Sequence, residues 1–301
     1  MSVSAHKPPT AKEKRHTRIS ETGPANSRLK QARAALSGLS GAVLGHPSQA
    51  VTPGRQSIPL GPPEVDGNLP GGGIIANALH EVLPNDPRDT PAATSFLSHL
   101  AARLLSERGA SAHTGTAAQR GCPQRGGMTV WIRPQNLLRE WGMPYGPGLL
   151  GAGLNPAGVL FIHPRTDQDA LWVIEEAIQA KGVGVVIGEI EGRALDLTAS
   201  RRIHLAAEKV GAPALLARAH NCLGSTAALT RWQISARPSA PPNYSESGLG
   251  IRRWKADLTR ARGGRLASFE LEWDHEAHCF SLATPLAHGQ IAPLLKAANA
   301  A

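Results

Sequence analysis

Short apolar runs recur along the middle of the chain and predict the strands of a sheet. Such runs lie at 78–83, 128–133, 159–163, 183–187 and 214–217. The run at 183–187 is rich in β-branched residues, which is typical of a strand buried on both faces of a sheet. Longer amphipathic segments separate most of these runs, so the strands are not joined as simple hairpins.

The segments between the strands carry apolar residues at helical spacing. Thr90 and Pro91 predict a helix start, with Thr90 as the cap and Pro91 at the first helical position. Asp167 is the predicted cap of a second helix that ends at Gly182, and 197–210 predicts a third. Strands that alternate with such helices indicate right-handed βαβ crossovers. We therefore expect an α/β fold with a mainly parallel central sheet flanked by helices.

The pattern changes after Thr230, where helical spacing is lost. The segments 232–236, 252–258, 267–273 and 279–283 predict short strands joined by turns. Strands without intervening helices favour antiparallel pairing. We expect them to close one edge of the parallel sheet.

The N-terminal part of the chain lacks the composition of a packed domain. Residues 1–25 are polar and basic and contain three prolines, which predicts disorder. The segment 27–39 predicts a short amphipathic helix, and a stretch rich in Gly, Pro and Ser follows it. The resulting division is a basic tail over 1–56, a globular domain over 57–285 and a C-terminal tail over 286–301.

The net charge indicates the class of binding partner, and the cysteine content indicates the cellular compartment. The chain of 301 residues has a formal net charge of +9 and a pI of about 10.0, which favours a polyanionic partner such as nucleic acid. Its three cysteines form no C-x-x-C pair, so we expect a reducing, cytoplasmic location. No apolar stretch approaches the roughly 20 residues of a membrane span.

The segment 69–94 has the layout that introduces a phosphate-binding loop in nucleotide hydrolases. A Gly-rich turn at 69–73 precedes a strand, a loop and a helix. A phosphate loop needs glycines, whose N–H groups turn toward the phosphates, and a lysine. The loop here has neither, and no Gly-Lys-Ser or Gly-Lys-Thr occurs in the chain. The positions that form this degenerate nucleotide loop are Pro84, Asn85, Asp86, Arg88, Asp89 and Thr90.

Other catalytic groups of such enzymes are also altered. Pro134 and Gln135 follow the 128–133 strand, where a water-activating glutamate is expected. Glu189 ends another strand and could replace a metal-binding aspartate, but we expect it to face solvent. The sequence therefore predicts no catalytic residue and no nucleotide cofactor.

Histidine and cysteine positions do not predict a metal site. His163 ends a strand, where a structural hydrogen bond is the commoner role. Asp274, His275, His278 and Cys279 lie in a predicted hairpin turn, where alternation would send the two histidines to opposite faces. A structural zinc needs four converging ligands, so we expect no metal here.

Several ordered sequence blocks carry a family resemblance. They lie at 69–73, 78–82, 130–132, 148–156, 170–177, 197–208, 230–232, 260–264 and 270–276. Through them the chain resembles the ImuA family of RecA-like accessory proteins in bacterial damage-induced mutagenesis. The resemblance implies a RecA-like core and a role in error-prone synthesis across DNA lesions. It implies three partners: a catalytically inactive protein that resembles Y-family polymerases, an error-prone replicative-type polymerase subunit, and RecA.

DNA is a further expected partner, as a single strand or a primer–template. RecA-like domains bind DNA through loops at the carboxyl edge of the sheet, and these correspond to 191–195 and 220–227. The basic N-terminal tail and the segment 252–265 add positive charge. The candidate DNA-binding residues are Arg193, Arg201, Arg202, Arg218, Arg231, Arg252, Arg253, Arg260 and Arg262.

The sequence thus favours a non-catalytic adaptor that bridges polymerase-like partners, RecA and DNA. One alternative is a DNA-dependent ATPase with an atypical phosphate loop, in which Arg88 is the local cation. Another is an inhibitor of cell division with a RecA-like core. Such inhibitors lack the stretch that 260–276 forms here.

Overall fold

A nine-stranded sheet forms the centre of the protein. The computed structural model describes residue 34 and residues 56–111, 126–192, 194–239 and 250–283. The strand order is β11-β10-β9-β8-β3-β7-β6-β4-β5. The strands are β3 (Leu79–Pro84), β4 (Met128–Ile132), β5 (Val159–Ile162), β6 (Val183–Ile190), β7 (Ala214–Arg218), β8 (Thr230–Arg237), β9 (Arg253–Ala261), β10 (Ala267–Asp274) and β11 (Cys279–Leu282). A separate antiparallel ribbon joins β1 (Ser57–Ile58) to β2 (Ile74–Ile75).

Strand directions confirm the predicted division of the sheet, with one difference. From β5 to β8 every neighbouring pair is parallel, and from β8 to β11 every pair is antiparallel. We expected β8 among the antiparallel strands. It is parallel to β3 on one side and antiparallel to β9 on the other, because the chain reaches it by a long loop from β7.

Helices cover the two faces of the sheet. They are α1 (Pro63–Asp66), α2 (Thr90–Ser111), α3 (Gln135–Trp141), α4 (Gly146–Gly151), α5 (Asp167–Gln179) and α6 (Leu197–Val210). Helix α2 packs through Phe96, Leu97 and Leu100 on one face of the sheet. Helices α5 and α6 pack through Ile174 and Ile203 on the other face. The result is a three-layer α/β arrangement, as predicted.

Two predicted helix caps are wrong. Thr166, not Asp167, caps α5, and its side chain accepts a hydrogen bond from the N–H of Asp169. The Asp167 carboxylate instead accepts from the Gly192 N–H at 2.7 Å. Thr90 does not cap α2, since its hydroxyl donates to the Pro87 carbonyl at 2.8 Å. A short 3₁₀ turn over 87–89 precedes α2 and takes the place of a side-chain cap.

Aromatic residues concentrate in the core beneath the antiparallel strands. Trp232, Trp254, Trp273 and Phe280 are fully buried. Phe96 of α2 contacts three of them, with ring centroids 5.1 to 5.9 Å apart. Long-range burial of this kind ties the C-terminal strands to α2. The antiparallel edge is thus part of the same core as the parallel sheet.

The predictions for the chain termini lie outside the described residues. These are the disordered basic tail, all but one residue of the 27–39 helix, and the 286–301 tail. No helix in the described part of the chain is long and apolar enough to cross a membrane.

Candidate functional site

The carboxyl ends of β3, β4, β6 and β7 meet near the first turns of α2 and enclose a cavity. Its volume is about 380 Å³. This edge of a parallel sheet is where ligands bind in α/β proteins. The 84–90 loop, for which the sequence predicts a degenerate nucleotide loop, follows β3, so the cavity lies where this loop and the ends of β4 and β6 converge.

The degenerate loop satisfies its own backbone groups. The Asp86 carboxylate accepts hydrogen bonds from the Arg88 backbone N–H at 3.0 Å and from its guanidinium at 2.8 Å. The Arg88 side chain holds the pKa of Asp86 below its ordinary value. The Asp89 N–H donates to the Asp86 carbonyl at 2.9 Å. These N–H groups and the only cation of the loop are therefore engaged locally.

Two hydrogen bonds join the same loop to the neighbouring strand β8. The Asn85 N–H donates to the Ile234 carbonyl at 2.8 Å, and the Asp89 carboxylate accepts from the Ala236 N–H at 2.8 Å. Pro84 is the last residue of β3 and continues the pairing with Ile234. The loop thus extends the sheet and does not curl into a concave anion site.

A buried ion pair lies on the floor of the cavity. Arg133 and Glu189 have side chains that are 4% and 8% exposed, with Arg133 Nη2 at 2.7 Å from Glu189 Oε1. Arg133 Nε also donates to both carboxylate oxygens at 2.9 Å, and Trp131 Nε1 donates to Oε1 at 2.6 Å. The Arg133 guanidinium further donates to the Gly142 carbonyl. Both carboxylate oxygens are therefore occupied by protein donors.

This geometry corrects the expected solvent exposure of Glu189. The residue is buried because β4 places Trp131 and Arg133 on the face that Glu189 shares on β6. Sequence spacing could not reveal the pair, since the partners are 56 positions apart. A positively charged guanidinium now occupies the space in front of the carboxylate, where a hydrolase would hold a cation.

A second buried carboxylate, Glu81, lies on the opposite face of the sheet. Its side chain is fully buried and accepts from Arg231 Nε at 2.8 Å and from the Thr226 hydroxyl at 2.8 Å. Arg218 Nη1 is 3.7 Å from the same carboxylate. Arg231 also donates to the Gly224 carbonyl at 2.9 Å, which fixes the 219–229 loop. The only sequence signal for this cluster is a charged residue within the apolar strand β3.

Two expected DNA-binding residues are therefore structural. Arg218 and Arg231 are each 8% exposed and share Glu81. Arg218 also donates to the Ile190 carbonyl at 3.1 Å. Guanidinium groups that are buried and bonded in this way do not reach a phosphate at the surface.

The remaining candidate arginines are dispersed. Arg201 and Arg202 are exposed on α6, and Arg202 pairs with Glu175. Arg253 pairs with Glu272 on the open face of the antiparallel strands. Arg252 is exposed at the cavity, and Arg193 lies outside the described residues.

Arg260 and Arg262 form a small basic site near the end of β9. Arg260 is half-buried and its Nε donates to the Ala228 carbonyl at 2.8 Å. Burial, with Arg262 and Arg231 nearby, lowers its pKa. Arg262 is exposed. Arg260 and Arg262 are thus two candidate arginines whose positive charges lie close together.

The histidines considered in the sequence have structural contacts. His163 Nδ1 donates to the Arg133 carbonyl at 3.0 Å, which confirms its hydrogen-bonded role. In the β10–β11 turn, Asp274 accepts from the N–H groups of Glu276 and Ala277. His275 Nδ1 donates to the Gly151 carbonyl at 3.0 Å. Among the described residues, no group of three or more His, Cys, Asp or Glu could hold a metal ion.

Comparison with known proteins finds relatives that are named ImuA. The chain is 32% identical over 252 residues to Protein ImuA of Caulobacter vibrioides, in two strains. The alignment covers 78% of the chain and 92% of each relative. No protein-family model matches the chain.

Proposed function

Because the chain belongs to the ImuA family, we propose that it is a non-catalytic accessory protein of damage-induced, error-prone DNA synthesis. Its α/β sheet is, in this proposal, a RecA-like core that has lost nucleotide hydrolysis. The core serves as an adaptor that brings a polymerase-like mutagenesis protein, an error-prone polymerase subunit and RecA together on DNA.

The Arg133–Glu189 ion pair is the main observation that supports the proposed loss of catalysis. A hydrolase of this architecture needs a carboxylate that is free to orient a magnesium ion. Here both oxygens of Glu189 accept hydrogen bonds from Arg133 and Trp131. The self-satisfied loop over 85–90 supports the same conclusion, because phosphate binding requires free backbone N–H groups.

Direct DNA binding by the core is a minor part of the proposal. Arg218 and Arg231, which lie beside the expected loop 220–227, share Glu81, and Arg253 on β9 pairs with Glu272. Contact through few phosphates is weak and sensitive to salt. The Arg260–Arg262 site and the basic N-terminal tail are the proposed DNA contacts.

Two measurements on the purified full chain test this function. The first is capture of the purified polymerase-like partner, for which we expect binding in the low micromolar range. Absence of binding at such concentrations would count against the adaptor role. The second is ATP turnover in the presence of single-stranded DNA, which we expect to equal background.

The ATPase alternative makes a different prediction for the same protein. It requires nucleotide binding that Arg88→Ala weakens, since Arg88 is the cation of the loop. We expect Arg88→Ala and the parent chain to show the same background ATP turnover. The reason is that the Arg88 side chain is 91% exposed and is paired with Asp86. Turnover that depends on DNA and falls in this variant would favour the enzyme.

A further inference from the structure

The cavity at the carboxyl edge of the sheet has a largely apolar wall. Helices α3 and α4 and the turn between them contribute Leu137, Trp141, Met143, Tyr145 and Leu149. The first turns of α2 form the facing wall. With a volume of about 380 Å³ the cavity can hold one or two large side chains.

Several side chains of the α3–α4 wall are exposed although they are large and apolar. Trp141, Met143 and Tyr145 are 42%, 48% and 75% exposed, and Leu150 on the outer side of α4 is 62% exposed. Large exposed apolar side chains that line a cavity are typical of a protein-interaction site. Aromatic residues and methionine are also the residue types enriched in such interfaces.

His99 of α2 lines the cavity, and its ring packs against Trp254 and Trp273. Its Nδ1 donates to the Ser95 carbonyl at 2.6 Å, and burial lowers the pKa of the ring to about 4. The ring is therefore neutral near pH 7, and its Nε2 carries a lone pair. This atom is buried and has no hydrogen-bond partner among the described residues. Because this atom is not accessible to solvent, it lies behind the cavity wall, and His99 contributes to the packing of that wall.

The two ends of the cavity differ in charge. Glu191 lines one end, and burial together with the nearby charge of Glu140 raises its pKa. Neither glutamate forms an ion pair within the described ranges. Arg252 lies at the α4 end, where its guanidinium is 3.9 Å from the position of a Cβ on Gly151. A basic group near Glu191 would relieve the repulsion between the two glutamates.

These features favour a peptide over a nucleotide as the occupant. A triphosphate would face Glu191 and the closed 85–90 loop, and Arg133 is already neutralised by Glu189. An apolar side chain followed by a basic one matches the apolar wall and the acidic end. Buried anchors of this kind contribute most of the binding energy in protein interfaces.

We propose that this cavity is the docking site for a peptide segment of a partner protein. The segment carries a large apolar side chain that fills the cavity and a lysine or arginine that pairs with Glu191 and Glu140. This inference rests on the proposed adaptor function and locates one of its contact surfaces at the former nucleotide edge of the sheet.

Filling the cavity provides the test. Gly148 lines it, and a Cβ at this position would meet only Tyr145, at 3.6 Å and 3.9 Å, within 4 Å. Gly148→Leu therefore places a side chain in or beside the cavity without a backbone clash. The matched control is Gly224→Leu, because a Cβ at Gly224 has no atom within 4 Å and the residue lies outside the cavity lining.

The probes are short overlapping peptides that cover the sequence of the polymerase-like partner, and binding to the full chain is measured by fluorescence polarisation. We expect a peptide with an apolar–basic pair to bind, and Gly148→Leu to weaken it by about tenfold or more. Gly224→Leu retains the parent affinity. Tyr145→Ala alters the same cavity wall and should also weaken peptide binding. Because this side chain is 75% exposed, the change should leave folding intact.

Equal affinity of the peptide for Gly148→Leu and the parent chain would overturn the docking site. The same holds if no peptide binds while the intact partner is captured, and the adaptor function then survives. A third outcome is that a peptide binds and its affinity falls in Gly148→Leu, but the intact partner is not captured. This outcome refutes the adaptor role for that partner and supports the docking site. Failure of both measurements overturns both proposals.

Discussion

Arg133 and Glu189 are stable in the protein interior only as a pair. Removal of one partner leaves the other charge buried without compensation. We expect Glu189→Ala to lower the free energy of unfolding by about 3–5 kcal/mol, measured by urea denaturation. The matched surface change is Arg202→Ala, which breaks a pair with the exposed Arg202 side chain and is expected to cost less than about 1 kcal/mol.

The double variant Arg133→Met with Glu189→Leu separates charge burial from packing. Since apolar residues of similar volume can replace a buried ion pair, we expect this variant to recover most of the lost stability. If the double variant is as unstable as Glu189→Ala, the stability of this site depends mainly on two hydrogen bonds. These join Trp131 to Glu189 and Arg133 to the Gly142 carbonyl.

Two buried histidines make stability depend on pH. Burial lowers the pKa of His80 and of His99 to about 4. The unfolded chain, with histidine pKa near 6.5, binds more protons than the folded protein between about pH 6.5 and pH 4. Stability is therefore complete above this window and falls as the pH decreases through it, by up to about 1.4 kcal/mol per pH unit for each histidine.

His99→Phe tests the contribution of one of these rings. Phenylalanine can keep the edge contacts with Trp254 and Trp273, whose centroids are 5.0 and 4.7 Å from that of His99. We expect urea midpoints measured between pH 6.5 and pH 5 to depend less on pH in this variant than in the parent chain. An unchanged slope would mean that His99 is protonated in the folded state.

Strand β6 packs closely against its neighbours because it carries glycine. A Cβ at Gly184 would lie 2.3 Å from the Gly126 carbonyl oxygen, which is backbone and cannot move aside. We expect Gly184→Ala to lower the unfolding free energy by about 1–3 kcal/mol in urea denaturation. Gly148→Ala in α4 serves as the control and should be neutral or slightly stabilising, since alanine favours helix.

Strands and long helices with a clear apolar pattern were predictable from the sequence, and the short helices and the β1–β2 ribbon were not. Strand β6 and helix α6 follow from continuous apolar runs and regular spacing. Helices α3 and α4 are too short to form by propensity alone, so tertiary packing through Leu137 and Leu149 decides them. The cap of α5 was misassigned because Thr166 and Asp167 are both good cap residues and only the Gly192 contact distinguishes them.

The residue types that are missing from the candidate site were predictable from the sequence. The ion pair and the cavity that form the site were not. The absence of glycine and lysine from the 85–90 loop is visible in the sequence. The pairing of Arg133 with Glu189 depends on strand order, which places β4 beside β6. The cavity likewise depends on the position of the α3–α4 turn against α2, and no local pattern encodes that contact.

The distribution of charge over the protein predicts how DNA binding responds to salt. We expect most phosphate contacts to come from the N-terminal tail. Replacement of five of its cations by glutamine should reduce the slope of log affinity against log salt by about 3.5 for single-stranded DNA, at about 0.7 for each phosphate contact. The changed residues are Lys7, Lys12, Lys14, Arg15 and Arg18.

The comparison for this experiment is a variant in the open face of the antiparallel strands. There Arg237, Arg253 and Lys255 are each paired with a carboxylate. Their replacement by glutamine should change the slope by less than about 1. A larger change in this variant than in the tail variant would place the DNA on the sheet.

The two hydrogen bonds between the 85–90 loop and β8 oppose any remodelling of this loop into a phosphate-binding loop. A glycine-rich, lysine-bearing loop would have to release Asn85 and Asp89 from β8, which removes sheet bonds before any phosphate binds. It would also need Arg133 to leave Glu189, at a large loss of stability. Each of these changes lowers stability before it supplies a phosphate contact, so a nucleotide-binding loop at this position would have to be designed as several coordinated changes.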